Sequence, residues 1–229
     1  MSRFPFFKTA ILFSATIATS SFCYAAGEKW YHVEVLVIES KDKSALAEEW
    51  PLDPGKPSLA NAIIPSNEPG AELCFLNDNQ LTLGRAKKRL QQSHRLIMHK
   101  GWRQMLSEKQ AAQTIHLSGG QSYSDNNEPE VNGIIKLSTG RYLNVDADLV
   151  FNKPMKLVAN GPVELGTENT QTTAHFVEVQ GQDWKNDPTA RLQSFRLKES
   201  SRLKADEMHY IDHPLYGIII VVSPEKTST

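Results

Sequence analysis

Between residues 143 and 151, Leu143, Val145, Ala147, Leu149 and Phe151 fall on one side of an extended chain. Asn144, Asp146 and Asp148, with Tyr142 just before them, fall on the other. A period of two suits a strand with one face on a core and the other in water, so this segment predicts an antiparallel sheet. Residues 131–138 form a second β-rich run, separated from a strand over 141–151 by only Thr139-Gly140, and the two read as a hairpin. Residues 30–39 (WYHVEVLVIE) place Tyr31, Val33, Val35 and Val37 on one face. Their other face opens with His32 and Glu34 and turns apolar at Leu36 and Ile38, which predicts a strand buried over most of its length. Further strands are predicted over 94–99, 114–117, 173–179, 192–199 and 208–212. The run 215–222 (LYGIIIVV) is apolar on both faces, so it is placed centrally.

Pro51, Pro54, Pro57, Pro65 and Pro69 make residues 51–72 a long irregular loop, because proline removes a backbone donor and fixes φ. Residues 118–130, 152–172 and 181–190 read as polar loops. One helix is legible: Asn79 as its cap, Leu83, Ala86 and Leu90 at helical spacing, and Arg85, Lys87, Lys88 and Arg89 on its outer face. Trp50 and Trp102 are expected to anchor edges of the core. The predicted class is α+β, a mostly antiparallel β-sheet with one or two helices packed on it. Residues 26–229 form a single domain, with long polar loops near 51–72 and 152–190.

The N-terminus carries Arg3 and Lys8, a short apolar run, and then small residues before Ala25. This reads as a cleavable secretory signal peptide over residues 1–25 that exports the chain. The run is too short to span a bilayer. Cleavage after Ala25 sets Cys23 and Ala25 at the recognition positions, whereas cleavage after Ala26 would put the bulky Tyr24 there. Phe22 before Cys23 argues against lipidation. Removing Arg3 and Lys8 takes the net charge from −1 to −3. Neither value supplies the attraction to phosphate that nucleic-acid binding needs. Cys74 is then the one remaining cysteine, expected as a small buried hydrophobe in an exported domain stabilised by packing alone.

The sequence offers several catalytic patterns, and each fails on its context. Ser40-Lys41-Asp42-Lys43 and Ser201-Arg202-Leu203-Lys204 match S-x-x-K, and Ser124-Asp125-Asn126 matches S-D-N. That chemistry needs the serine at a helix start and a K-T-G strand closing the site. The first match sits at a strand exit, the second in a turn region, and Lys226-Thr227 is followed by Ser228. His209 and His213 are four apart, as zinc ligands are on a helix, but Pro214 and β-forming flanks predict turn histidines. Asp146 and Asp148 suit acid/base work only if one is desolvated. The basic helix suits anionic lipid, or more simply the wet side of a helix lying on a sheet. No catalytic residue, metal ligand or cofactor is therefore assigned. The residues alone predict an exported binding or scaffolding domain, with a cell-wall hydrolase or metal-dependent envelope enzyme as the alternative.

Four stretches carry a resemblance: WYHVEVLVIE followed by Glu49-Trp50-Pro51, then residues 99–104 (HKGWRQ), 133–143 (GIIKLSTGRYL) and 207–217 (EMHYIDHPLYG). Together they resemble the CsiV-type peptidoglycan-binding proteins of Gram-negative bacteria over nearly the whole mature chain. The resemblance implies a non-catalytic periplasmic accessory factor of cell-wall synthesis and cell shape, an adapter with two kinds of partner. One is peptidoglycan. The other is LpoA, an outer-membrane lipoprotein that activates a class A penicillin-binding protein.

A ligand of sugars, N-acetyl groups and peptide carboxylates suits an aromatic, arginine-rich β surface. Arg141, Tyr142, Arg196, Arg202, His209 and Tyr210 lie in or beside predicted strands and are the candidate ligand-binding residues. The plainer reading of His209, Tyr210 and Asp212 is a packed turn before the last strand.

Overall fold

A computed structural model describes residues 29–68, 70–123, 128–158, 173–179 and 183–225. The expected signal peptide, the Ser124-Asp125-Asn126 motif and Lys226-Thr227 lie outside these residues. The strands divide between two sheets. The first has the order β11 (His209–Asp212), β12 (Tyr216–Pro224), β1 (Trp30–Ser40), β5 (His94–Met105) and β4 (Cys74–Phe75), antiparallel throughout. The run 215–222 therefore does become an inner strand. It is flanked by β1 and β11 and buried along most of its length.

The second sheet is built on β8 (Leu143–Val158). Strand β10 (Ala190–Leu203) takes one edge of β8 from Leu143 to Lys156. The other edge is shared in succession, by β7 (Pro129–Ser138) opposite residues 144–151 and β9 (Thr173–Glu178) opposite 155–158. Strand β6 (Thr114–Ser122) continues from β7, β3 (Ala62–Ile63) pairs with β6 in parallel, and β2 (Trp50–Pro51) pairs with β9.

The two sheets pack face to face over one core. Val33, Val35 and Val37 of β1 and Ile218, Ile220 and Val222 of β12 join Val145, Ala147, Leu149 and Phe151 of β8 in a single buried cluster. Phe151 stacks on Tyr216 at 4.1 Å, and Trp102 is wholly buried inside this cluster rather than at its edge. The outer face of the first sheet carries a second, smaller cluster. There Leu36, Ile38, Ile219 and Val221 meet Ala86 and Leu90 of α1 (Gly84–Leu90) and Leu83 just before it. The mostly antiparallel β architecture stands, with one α-helix among the described residues. The α+β expectation is amended in that the core lies between two sheets and the short helix covers only one outer face.

Several boundaries are corrected. Asn77, not Asn79, makes the capping box, and it caps a 3-10 turn (Asp78–Gln80) that precedes α1. Strand β5 runs without a break through residue 105. Residues 118–122 continue β6 through a bulge at Gly119 and Gly120 instead of looping. Gly120 has φ +80 and lies so near Glu130 that a Cβ there would stand 2.7 Å from its carboxylate, so this position needs glycine.

The polar stretch 152–158 is also strand. Asn152 donates to the Pro129 carbonyl and accepts from Ser194, and Lys153 is neutralised by carboxylates, so both are buried despite their polarity. The hairpin connection holds four residues, 139–142, where two were expected. The Thr139 N–H donates to the Ser107 carbonyl, and Asn144 donates to the Tyr142 carbonyl, which stabilises the longer turn.

Candidate functional site

The longer hairpin turn decides where the candidate residues stand. Arg141 and Tyr142 leave the strand and sit at the end of the second sheet. Arg202, opposite Asn144 on β10, reaches the same place. The Arg202 guanidinium lies 4.6 Å from the centre of the Tyr142 ring and that of Arg141 lies 5.5 Å from it. Tyr142 is 46% exposed, and neither arginine forms an ion pair among the described residues. A half-exposed aromatic ring with two guanidinium groups over it, neither of them ion-paired among the described residues, offers hydrogen-bond donors and an aromatic surface at one place. Beside it opens a cleft of about 560 Å³, lined by Lys29, Tyr31, Ser107, Thr139, Arg141 and Tyr142 among others. It adds a second aromatic, hydroxyl groups and another cation.

The other three candidates do not join this cluster. Arg196 shares the outer face of β10 with Arg202, but its guanidinium forks onto Asp148 with two 2.7 Å bonds and donates to the Pro54 carbonyl at 3.2 Å. It holds the proline-rich segment and a carboxylate, and its donors are committed. His209 and Tyr210 lie on β11, in the first sheet. The His209 Nε2 accepts the Lys204 N–H at 2.8 Å, closing the turn that carries the chain from β10 to β11. That is the packed-turn role. Tyr210 is 54% exposed against Gly217, far from the Arg–Tyr–Arg cluster in the topology.

The catalytic decoys resolve into structural contacts. Asp146 bonds Ser200 and faces Lys109 at 3.6 Å, while Asp148 is the partner of Arg196, so each acid is matched across the sheet and the two do not form a dyad. Lys43 pairs with Glu39 rather than with Ser40, and the Ser201 hydroxyl donates to Glu199. His209 and His213 flank a strand, where a four-residue separation is about 13 Å, too far for one metal ion. The His213 ring packs on Trp50, Phe151 and Tyr216, and its Nδ1 accepts the Leu215 N–H at 3.2 Å. Burial lowers its pKa to about 4, outweighing Asp212, so the imidazole is neutral near pH 7.

Sequence reasoning missed a buried charge cluster at the seam where β7 hands the edge of β8 to β9. Lys153, 5% exposed, pairs with Glu39 and Glu178. Arg95 donates to Glu39 at 2.6 Å and to Glu130, and Lys43 also reaches Glu39. Burial raises the Glu39 pKa, yet hydrogen bonds from Lys153 and Lys43 and the charges of Lys153 and Arg95 bring it down to about 2. A cleft of about 770 Å³ opens over this network. Three acids meet three bases there, so the charges satisfy one another and hold the two sheets together. The signal in the sequence was weak: polar residues within a strand-length segment, whose partners come from other strands, Glu39 lying 114 positions from Lys153.

The fold is a two-sheet β domain whose polar sheet end presents an arginine-flanked tyrosine, the features of a binding domain. A family model described as peptidoglycan-binding protein, CsiV, matches residues 8–225. The chain belongs to the CsiV peptidoglycan-binding protein family. No match was found among curated proteins or solved structures.

Proposed function

We propose that this protein is a non-catalytic periplasmic binding factor that holds peptidoglycan at the end of its second sheet through Arg141, Tyr142 and Arg202. The observation that carries this reading is the half-exposed Tyr142 ring with the Arg141 and Arg202 guanidinium groups over it, neither ion-paired among the described residues. Sugar rings present C–H faces that pack on an aromatic, and a stem peptide presents carboxylates that pair bidentately with arginine. Tyr31 and Lys29 in the adjoining cleft extend the same chemistry along a glycan strand. Family membership supports the ligand class. No helix of the described residues is long and apolar enough to cross a membrane. In this reading the protein acts as an adapter, bringing the cell wall to LpoA and through it to a class A penicillin-binding protein.

Retention on purified sacculi tests the site. The Arg141→Ala/Arg202→Ala double variant is expected to bind about tenfold more weakly or worse, since each charge-assisted hydrogen bond is worth about 1.5–3 kcal/mol. Undiminished retention by the folded variant would remove both residues from the site. A sacculus-digestion assay addresses the alternative of a hydrolase: the proposal expects no soluble fragments, and release of fragments would contradict it.

A further inference from the structure

The outer face of the first sheet is only partly covered. Helix α1 seals its centre, but toward β11 a groove of about 570 Å³ remains open. Ile38, Ala86, Leu90, Met208, Tyr210 and Ile219 make it almost entirely apolar. Met208 is 63% exposed. The Tyr210 ring lies over Gly217, where any side chain would strike it, so the glycine makes room for this wall of the groove. An apolar groove of this size with large hydrophobic residues standing open at its rim marks an interaction surface.

Three features specify the occupant. The groove is concave, which suits an inserted segment bearing side chains, whereas a lipid surface is met by a protruding apolar face. Its Met208–Tyr210 wall leads into β11, an edge strand with β12 on one side and no described strand on the other. Outward-facing N–H and C=O groups on such an edge are paired naturally by another polypeptide. The opposite wall is cationic: Arg89 lines the groove, Arg85 lies one turn before it on α1, and both are exposed and make no ion pair among the described residues. We propose that this groove docks an acidic, amphipathic segment of a partner protein, with its apolar side chains inside and its carboxylates against Arg85 and Arg89. The groove belongs to the other sheet from Arg141, Tyr142 and Arg202, so the proposal does not rest on the peptidoglycan reading.

The test uses labelled synthetic peptides, one alternating valine with glutamate and one placing leucine and glutamate at helical spacing, followed by fluorescence anisotropy on the full chain. At least one is expected to bind saturably and to weaken about tenfold with Arg85→Glu/Arg89→Glu or with Met208→Glu. Peptides carrying lysine for glutamate are expected to prefer the charge-reversed variant. Retention on sacculi is expected to be unchanged in all of these variants, which keeps the two sites separable. The proposal is overturned if neither acidic peptide binds, or if the substitutions have no effect. It is equally overturned if phosphatidylglycerol vesicles are captured through these residues in place of the peptides, or if sedimentation shows the groove closed by a second copy of the chain.

Discussion

At the scale of single residues, stability depends on a few buried polar groups whose partners come from distant parts of the chain. Lys153 is the clearest. It lies between Glu39 and Glu178, and removing it leaves the 3%-exposed Glu39 short of its main counter-charge. Breaking a buried pair from one side costs about 3–5 kcal/mol, more than deleting both charges. Lys153→Met is therefore expected to lower urea stability by about that amount, and Lys153→Met/Glu39→Gln to recover part of it.

His213 makes a pH prediction. Its pKa of about 4 in the folded protein lies below the ordinary 6.5, so between those values the unfolded chain binds a proton that the native protein does not. Its contribution is complete above pH 6.5, falls as the pH drops and is gone near pH 4, at a slope of up to about 1.4 kcal/mol per pH unit. Urea unfolding from pH 7.5 to 4.5 should show this loss. His213→Asn, which keeps an acceptor for the Leu215 N–H and does not titrate, should flatten it; an unchanged slope would assign the effect to other groups.

At the scale of elements, Glu34 explains why α1 sits where it does. Burial pushes its pKa up, but the Thr82 N–H, His99, the Leu83 N–H and the Thr82 hydroxyl hold it net below the ordinary value. The bonds from Thr82 and Leu83, at 2.7–2.8 Å, fasten the start of a seven-residue helix to β1, and His99 braces Glu34 from β5 at 2.6 Å. A helix so short has little stability of its own. Glu34→Ala is expected to cost about 2–4 kcal/mol and to raise hydrogen exchange first at Leu83 and in α1, while the β8–β10 amides stay protected. Simultaneous loss of protection in β8 would show that α1 is not a separable element.

The limits of local patterning appear at the same scale. Strands with period-two alternation, such as 143–151, were legible because the pattern is contained in the segment itself. The continuation through Asn152, Lys153 and Pro154 was not, since Glu39, Glu178, Ser194 and the Pro129 carbonyl, all outside the segment, make those positions buriable. The hairpin turn was read too short because its length depends on Ser107, thirty-two positions from Thr139.

For the whole molecule, the decisive fact is the division into two sheets. Residue composition predicted β structure with a helix laid on it, but which strands share a sheet follows from long-range pairing that no local window contains. That division also sorted the six candidate residues. Arg141, Tyr142 and Arg202 meet at one sheet end, Arg196 is bound to Asp148, and His209 and Tyr210 belong to the other sheet. Because β10 passes into β11 through the Lys204–His209 turn, the two surfaces are joined by one short connection.

The most direct test of the central claim is a residue-resolved titration of the full mature chain with soluble muropeptides, followed by amide chemical shifts. The account predicts saturable shifts concentrated at residues 139–143, 202–205 and 29–31, lost in Arg141→Ala/Arg202→Ala. Shifts confined to the charged seam around Lys153, or to the groove beside α1, would contradict it.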